Sequence, residues 1–127
     1  MRYLTTDEVF LIHERILDTF GGARGLRDRG LLDSAVNRSR ASFDGKDLYP
    51  DTFAKATALG QSLVLNQPFV DGNKRTAWEA MKRFLGENGV PLRSSAKDVV
   101  DLMLQIGDEH LDVGAIAEWL KQRIREG

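Results

Sequence analysis

The chain has 127 residues, of which 42% are hydrophobic and 29% charged, with a formal net charge of -1. This length predicts one domain over residues 1–127, and the composition is too hydrophobic for a disordered chain. The near-neutral charge argues against direct nucleic-acid binding, and the absence of cysteine excludes disulfides and zinc–thiolate sites. No apolar run approaches the roughly 18–20 residues of a membrane helix, so we expect a cytoplasmic domain without a membrane partner.

The first part of the chain predicts two helices and a turn, taken in chain order. The first helix begins at Thr5 or Thr6 and ends at Gly21-Gly22. Its core-facing apolar stripe is Val9, Ile12, Ile16 and Phe20, with Leu11 and Leu17 flanking. A polar loop leads to a second, shorter helix over residues 31–40. The arginines of this region are expected to form a solvated face, with an acidic partner as the alternative. The dipeptide Asp44-Gly45 then favours a turn, which indicates a short hairpin or flap over residues 41–50.

Four more helices follow the flap. The third covers residues 52–66 behind a cap at Asp51, and it stops before a proline because the residue preceding proline is displaced from the α region. The fourth is capped by Asn73 and runs to about residue 87. The fifth begins at Ser94 or Ser95, and the sixth begins at Asp112. Its apolar stripe is Ile116, Trp119, Leu120 and Ile124. These elements predict an all-α domain, a bundle of about six helices with a short flap.

The loop between the third and fourth helices carries the chemistry. Residues 66–76 read Asn-Gln-Pro-Phe-Val-Asp-Gly-Asn-Lys-Arg-Thr. A helix N-terminus attracts phosphate, Gly72 lets the backbone approach it closely, and Lys74 and Arg75 add full positive charge. A lone carboxylate such as Asp71 beside bound phosphates suits Mg²⁺, which takes few protein ligands and keeps waters. Taken alone, the same residues also fit an ordinary turn followed by a helix cap.

The same stretch resembles the signature of the Fic/Doc family, which in its Doc branch reads His-Pro-Phe-x-Asp-Gly-Asn-Lys-Arg-Thr-Ala. The one departure is Gln67, which stands where the family places its catalytic histidine. Further segments of the chain resemble Doc-type toxins. These are Tyr-Leu-Thr followed by Ile-His-Glu-Arg, Gly-Leu-Arg-Asp-Arg-Gly-Leu-Leu-Asp-Ser-Ala, and Asp-Leu-Tyr-Pro-Asp-Thr-Phe-Ala-Lys-Ala. The resemblance covers most of the chain.

The resemblance implies an all-α Fic fold that uses ATP and Mg²⁺ and phosphorylates a hydroxyl on a translation factor such as elongation factor Tu, which arrests translation. It also implies a Phd-type antitoxin whose C-terminal segment folds as a helix into a groove on this chain. Carried over residue by residue, it implies catalysis by position 67 with Lys74 and Arg75, nucleotide binding by Phe69, Gly72, Asn73, Lys74 and Arg75, and magnesium binding by Asp71.

Position 67 leaves the activity of this chain open. Glutamine donates and accepts hydrogen bonds but is no base near pH 7, and a missing general base typically costs about 10²–10⁴-fold in rate. Gln67 is either native to a weakly active variant or a substitution that disarmed a toxic protein. Lys74, where most Fic proteins have glycine, and Trp78, where the broader pattern has a second arginine, favour phosphate transfer. The alternatives are an AMP-transferring Fic enzyme and a non-catalytic module that binds a nucleotide or an antitoxin.

The remaining histidines and the two tryptophans are expected to have structural roles. His13 lies beside the apolar stripe of the first helix, remote in sequence from the loop, and is expected to be a structural histidine. His110 is expected to be exposed near a helix boundary, and Trp78 and Trp119 are expected to pack in the core. In the family the flap pairs with an extended stretch of the target, whereas here an ordinary connecting loop is an equal alternative.

Overall fold

The computed structural model describes residues 1–91, 93, 95–108 and 110–125, and within them the chain forms six α-helices and one small antiparallel sheet. The elements are α1 (Thr6–Phe20), α2 (Arg29–Asn37), a 3₁₀ turn (Arg38–Arg40), β1 (Ser42–Phe43), β2 (Lys46–Asp47), α3 (Thr52–Asn66), α4 (Asn73–Glu87), α5 (Ala96–Ile106) and α6 (Val113–Arg125). The all-α prediction is confirmed. None of the described helices is long and apolar enough to cross a membrane.

Several helix ends follow the predicted capping chemistry. Thr5 and Glu8 form a capping box, in which the Thr5 hydroxyl accepts from the Glu8 N–H and the Glu8 carboxylate accepts from the Thr5 N–H. Asp51 caps α3 through the N–H of Ala54 at 2.8 Å. Ser95 caps α5, while Ser94, the alternative start, lies outside the described residues.

The prediction for the second helix was wrong at both ends. Asp28 accepts a hydrogen bond from the Leu31 N–H at 3.0 Å, so α2 begins at Arg29 rather than at residue 31. Its last turn then tightens into the 3₁₀ turn over Arg38–Arg40 instead of continuing as α-helix.

The third helix is the centre of the fold. Every residue from Ala54 to Val64 is buried, and α3 packs against α2, α4, α5 and α6. A helix that is buried on all sides belongs in the interior of a bundle. One cluster of buried apolar side chains extends from Leu4 to Leu120 through all six helices. That the whole of residues 1–127 forms one domain stays a prediction.

The helix α3 approaches α4 closely at Gly60. A Cβ at this position would lie 2.2 Å from the Met81 Sδ and 2.8 Å from the Met81 Cγ. Met81 is fully buried and has little room to withdraw. The glycine therefore sets the separation of the two helices that hold the candidate site between them.

The apolar stripe of the first helix is only partly as predicted. Val9, Ile12 and Ile16 are buried, whereas Phe20 is 57% exposed and Leu11 is 54% exposed. Phe20 is the last residue of α1 and lies at the mouth of a surface cavity rather than in the core. The predicted core packing of Trp78 and Trp119 is partial, since both are half-buried against the main cluster. The side chain of Ile124 lies outside the described residues.

The predicted flap is a hairpin. Ser42 pairs with Asp47 and Phe43 pairs with Lys46, and both Asp44 and Gly45 have positive φ, as a tight two-residue hairpin turn requires. The hairpin is fixed to α3 by a buried lysine. The Lys55 ammonium donates to the Asp47 carboxylate at 3.0 Å and to the Tyr49 carbonyl oxygen.

An ion-pair cluster ties the start of α1 to the end of α4. The Glu8 carboxylate lies 2.8 Å from the Arg2 guanidinium and 3.3 Å from that of Arg83. Burial raises the pKa of the Glu8 carboxyl, but the hydrogen bond from the Thr5 N–H and the two guanidinium charges outweigh it, so the pKa is lowered from its ordinary value. The charged carboxylate is therefore the form that stabilises this end of the bundle.

Candidate functional site

The loop between α3 and α4 lies at the floor of the larger of the two cavities that share Gln67. This cavity has a volume of about 620 Å³, which is within the range of small-molecule sites. Six of the seven predicted site residues line it, which are Gln67, Asp71, Gly72, Asn73, Lys74 and Arg75. The seventh predicted residue, Phe69, does not.

Gln67 terminates α3 in a strained conformation. Its φ of 46° and ψ of 59° are left-handed, a region that a residue with a Cβ adopts at some cost. Its side chain is exposed at the cavity wall. Its carbonyl oxygen accepts from the Arg27 Nε at 2.7 Å, and the same guanidinium binds the Asn66 carbonyl at 2.7 Å. The backbone that carries position 67 is thus held from outside the helix.

The segment between α1 and α2 supports the loop along its length. The Arg27 and Asp28 N–H groups donate to the Pro68 carbonyl at 2.7 and 3.1 Å, and the Val70 N–H donates to the Gly25 carbonyl at 3.0 Å. Leu26 forms an antiparallel bridge with Phe69. These bonds satisfy part of the loop backbone from the segment between α1 and α2, so the loop is held in place before any ligand binds.

Phe69 anchors the loop to the core. Its ring is 1% exposed and stacks on the His13 imidazole, with 3.7 Å between ring centroids and 5° between planes. Any contact from Phe69 to a nucleotide would therefore come from its backbone. The expectation that this side chain plugs inward is confirmed.

His13 reaches the loop, although the sequence placed it far away. Its Nε2 lies 2.8 Å from the Asp71 carbonyl oxygen, and because a carbonyl only accepts, Nε2 is the donor. Nδ1 is buried without a hydrogen-bond partner among the described residues, and the nearest acidic oxygen belongs to Glu14 at 3.9 Å. The structural interpretation of His13 holds, but its supposed remoteness from the site was wrong. The sequence signal that could have indicated this contact was the position of a histidine on the buried face of α1.

Asp71 presents its carboxylate to the cavity from a fixed position. One oxygen accepts from the Gly72 N–H at 2.8 Å and the other from the Ala23 N–H at 3.2 Å. Gly22 makes room for it, since a Cβ there would lie 2.8 Å from the second oxygen. Each oxygen keeps a lone pair, and the side chain remains exposed. Among the described residues no cluster of three metal-binding side chains occurs, so this site fits Mg²⁺ only together with phosphate and water ligands.

The start of α4 forms the anion-binding end of the cavity. Gly72 has a φ of 79° and is the N-terminal flanking residue of the helix, and the first intrahelical bond runs from the Thr76 N–H to its carbonyl at 3.0 Å. The N–H groups of Asn73, Lys74 and Arg75 precede that bond and have no helical acceptor. The two cationic side chains are exposed beside them. This arrangement offers backbone donors and full charges to an anion.

Asn73 does not cap α4, contrary to the prediction. Its amide turns back to the loop, where the oxygen accepts from the Phe69 N–H at 3.1 Å and the nitrogen donates to the Phe69 carbonyl at 2.9 Å. The apolar periodicity of α4 gives no information about the path of the preceding loop, so this contact could not be predicted from it. The Asn73 side chain therefore stabilises the loop, and its contribution to an anion site is chiefly its backbone N–H.

Of the arginines predicted to form a solvated face, Arg38 is half-buried and the other four are exposed, which are Arg24, Arg27, Arg29 and Arg40. Arg27 binds the end of α3 as described, and Arg38 donates to Tyr49, Gln61 and Ser62 in the half-buried interior. The hydrogen bond to Asp18 is the largest cause that raises the pKa of the Arg24 guanidinium, and the charges of Asp18 and Glu14 raise it further. His110 is exposed, as expected.

The chain is similar in sequence to proteins of one known family. The family model described as Fic/DOC family matches residues 3–85, more than half of the chain. Toxin Doc of Mycolicibacterium smegmatis is 47% identical over 100 residues, which cover 77% of each chain. Protein kinase doc of Escherichia phage P1 is 25% identical over 122 residues, which cover 96% of this chain and 95% of the phage protein. The chain therefore belongs to the Fic/DOC family, and its similarity places it with the Doc-type toxins of that family.

Proposed function

We propose that this chain is the toxin of a toxin–antitoxin module and a protein kinase that transfers the terminal phosphate of ATP to a hydroxyl of a translation factor such as elongation factor Tu. The observation that carries the proposal is the shared cavity. It brings the Asp71 carboxylate, the free N–H groups at the start of α4, two cationic side chains and the family's catalytic position onto one surface. The relative named Protein kinase doc supports the reaction class.

The roles of the residues follow from their positions. The start of α4, with Lys74 and Arg75, would hold the phosphates and offset the charge that develops on them. Magnesium, when bound with the nucleotide, would withdraw charge from the phosphates, and Asp71 is the residue that would hold it. In the transfer, the target oxygen bonds to the terminal phosphorus, the bond from that phosphorus to the bridging oxygen breaks, ADP leaves, and the hydroxyl proton must be accepted.

A histidine at position 67 would accept that proton, whereas in this chain, which has Gln67, the proton would leave to solvent water. The exposed Gln67 side chain orients a hydroxyl through its amide but accepts no proton near pH 7. A loose phosphoryl-transfer transition state depends little on early proton removal, so we expect the loss relative to histidine near the lower end of about 10²–10⁴-fold. The fixed backbone at this position means that a histidine there would enter a site already formed for it.

The partner we propose is a Phd-type antitoxin, in line with the name Toxin Doc of the mycobacterial relative. AMP transfer is the second candidate for the reaction, and Lys74 and Trp78 argue against it, since the broader family pattern has a glycine and a second arginine at these positions. The proposed location of the protein is the cytoplasm, where ATP and the translation factor occur together.

The experiment that tests the reaction uses two labels of ATP. The Gln67→His variant and the unchanged chain are each incubated with Mg²⁺, elongation factor Tu and ATP labelled in either the α or the γ phosphate. Transfer of the γ label alone, faster in the histidine variant, is the expected result. Transfer of the α label would show AMP transfer instead, and transfer of neither label by either form would contradict the kinase proposal.

A further inference from the structure

Phe20 is the one aromatic side chain that lines the 620 Å³ cavity in the described part of the chain. It is 57% exposed and stands at the C-terminal end of α1, next to Ile16. The remaining apolar wall consists of aliphatic side chains. An exposed aromatic ring at the rim of a polar cavity provides a flat surface of the kind on which nucleobases stack.

The ring is at present covered by a cation. The Arg75 guanidinium lies 4.0 Å from the Phe20 ring centroid, in cation–π contact. Arg75 is also one of the side chains at the anion-binding start of α4. Charge-assisted hydrogen bonds to phosphate are stronger than an exposed cation–π contact, so a bound phosphate draws the guanidinium towards itself and frees a face of the ring.

The cavity has two distinguishable ends. Gln67 also lines a neighbouring cavity of about 320 Å³ on the side of α5, together with Leu104. Phe20 instead borders a cavity of about 280 Å³ between α1 and α4, together with Arg15. These two neighbouring cavities share no lining residue, so Phe20 and Gln67 lie at opposite sides of the central one.

We propose that Phe20 is the stacking platform for the base of the bound nucleotide, a role that rests on the proposed function of the cavity. The base then lies at the α1 end, the phosphates lie along the start of α4, and the terminal phosphate is the one next to Gln67. This placement suits transfer of the terminal phosphate. AMP transfer requires the phosphate attached to the nucleoside to be next to Gln67, which would bring the base to the other end.

The test compares ATP with inorganic tripolyphosphate, both with Mg²⁺, by isothermal titration calorimetry. Phe20→Leu removes the ring and keeps an apolar side chain, and Phe20→Tyr keeps the ring. Phe10→Leu is the matched control, because Phe10 is on the same helix, is 36% exposed and does not line the cavity. Since Phe20 and Phe10 are both exposed, all three variants should fold, and their melting temperatures report whether they do.

We expect Phe20→Leu to weaken ATP binding by roughly 5- to 100-fold, in line with base–aromatic stacking, while its affinity for tripolyphosphate is unchanged. Phe20→Tyr and Phe10→Leu should bind both ligands as the unchanged chain does. Equal losses for the two ligands, or no loss for ATP, would overturn the stacking role and leave the phosphate site standing. Binding of neither ligand by the unchanged chain would instead contradict the proposed function, and the inference with it.

Discussion

Replacing His13 tests whether the loop is held in place from α1. His13→Leu removes the hydrogen bond to the Asp71 carbonyl and the stack on Phe69, while filling most of the same volume. The hydrogen bond contributes about 0.5–1.5 kcal/mol and the ring pair a similar amount, so we expect a loss of about 1–3 kcal/mol in the free energy of unfolding. His13→Gln retains an N–H donor and loses only the stack, so it should lose about half as much.

The assay for this prediction combines urea unfolding with ATP binding in the presence and absence of Mg²⁺. Because Asp71 is the residue whose backbone His13 holds, the leucine variant should lose chiefly the part of ATP affinity that depends on Mg²⁺, and the glutamine variant should recover much of it. Ile12→Val is the control, since it costs a comparable ~0.5–1.5 kcal/mol in the same helix without touching the loop. Its ATP affinity should not change. If both His13 variants are as stable as the unchanged chain, or bind Mg²⁺ and ATP equally well, the loop is not positioned by His13.

Three further predictions concern the packing around the site. Gly22→Ala adds a Cβ 2.8 Å from the Asp71 carboxylate at a φ of +121°, so it should destabilise by about 1–3 kcal/mol and weaken magnesium-dependent ATP binding in calorimetry; Gly21→Ala, at a φ of +76° but with nothing within 4 Å of its Cβ, carries the backbone strain alone, so it should lose stability but keep that binding. Gly60→Ala should lower the unfolding free energy by about 1–3 kcal/mol through overlap with Met81, and the double variant with Met81→Ala should lose measurably less than the sum of the single losses; additive losses would contradict the overlap. Glu8→Gln should cost about 0.5–1 kcal/mol at pH 7. Because the folded-state pKa of Glu8 is lowered, its contribution is present above the unfolded value of about 4.3 and is lost as the pH falls through the folded value, so the difference in unfolding free energy between wild type and variant should shrink as the pH is lowered below about 4.3 in urea titrations; a difference that does not shrink would contradict the assignment.

The fold was predictable from the sequence because its signals are local. Capping residues such as Thr5 and Asp51 mark helix starts through bonds to the residue three positions away, and the proline after Gln67 marks a helix end because it displaces the preceding residue from the α region. The Asp44-Gly45 turn is local in the same way. The limit of α2 was missed because Asp28, in a loop rich in charged residues, was not recognised as a cap.

The candidate site was only partly predictable, since its supports come from distant parts of the chain. The predicted anion-binding residues are contiguous, so they could be identified from the sequence alone. The contacts that hold them come from His13, Ala23 and Arg27, which are 40 or more positions away from the loop atoms that they bind. Phe20 shares the spacing of its helix's core residues, but it is the last residue of α1 and lies at the mouth of the cavity, which spacing along the helix does not show.

The central claim is that this chain is a toxin whose site lacks only the side chain at position 67. The most direct measurement is bacterial growth on induction of the unchanged chain and of Gln67→His, each with and without a cognate Phd-type antitoxin. We expect the histidine form to arrest growth, the antitoxin to relieve the arrest, and the glutamine form to be weakly toxic or harmless. Growth unaffected by the histidine form, when it is expressed and folded, would contradict the account and favour a module that binds nucleotide or antitoxin without catalysis.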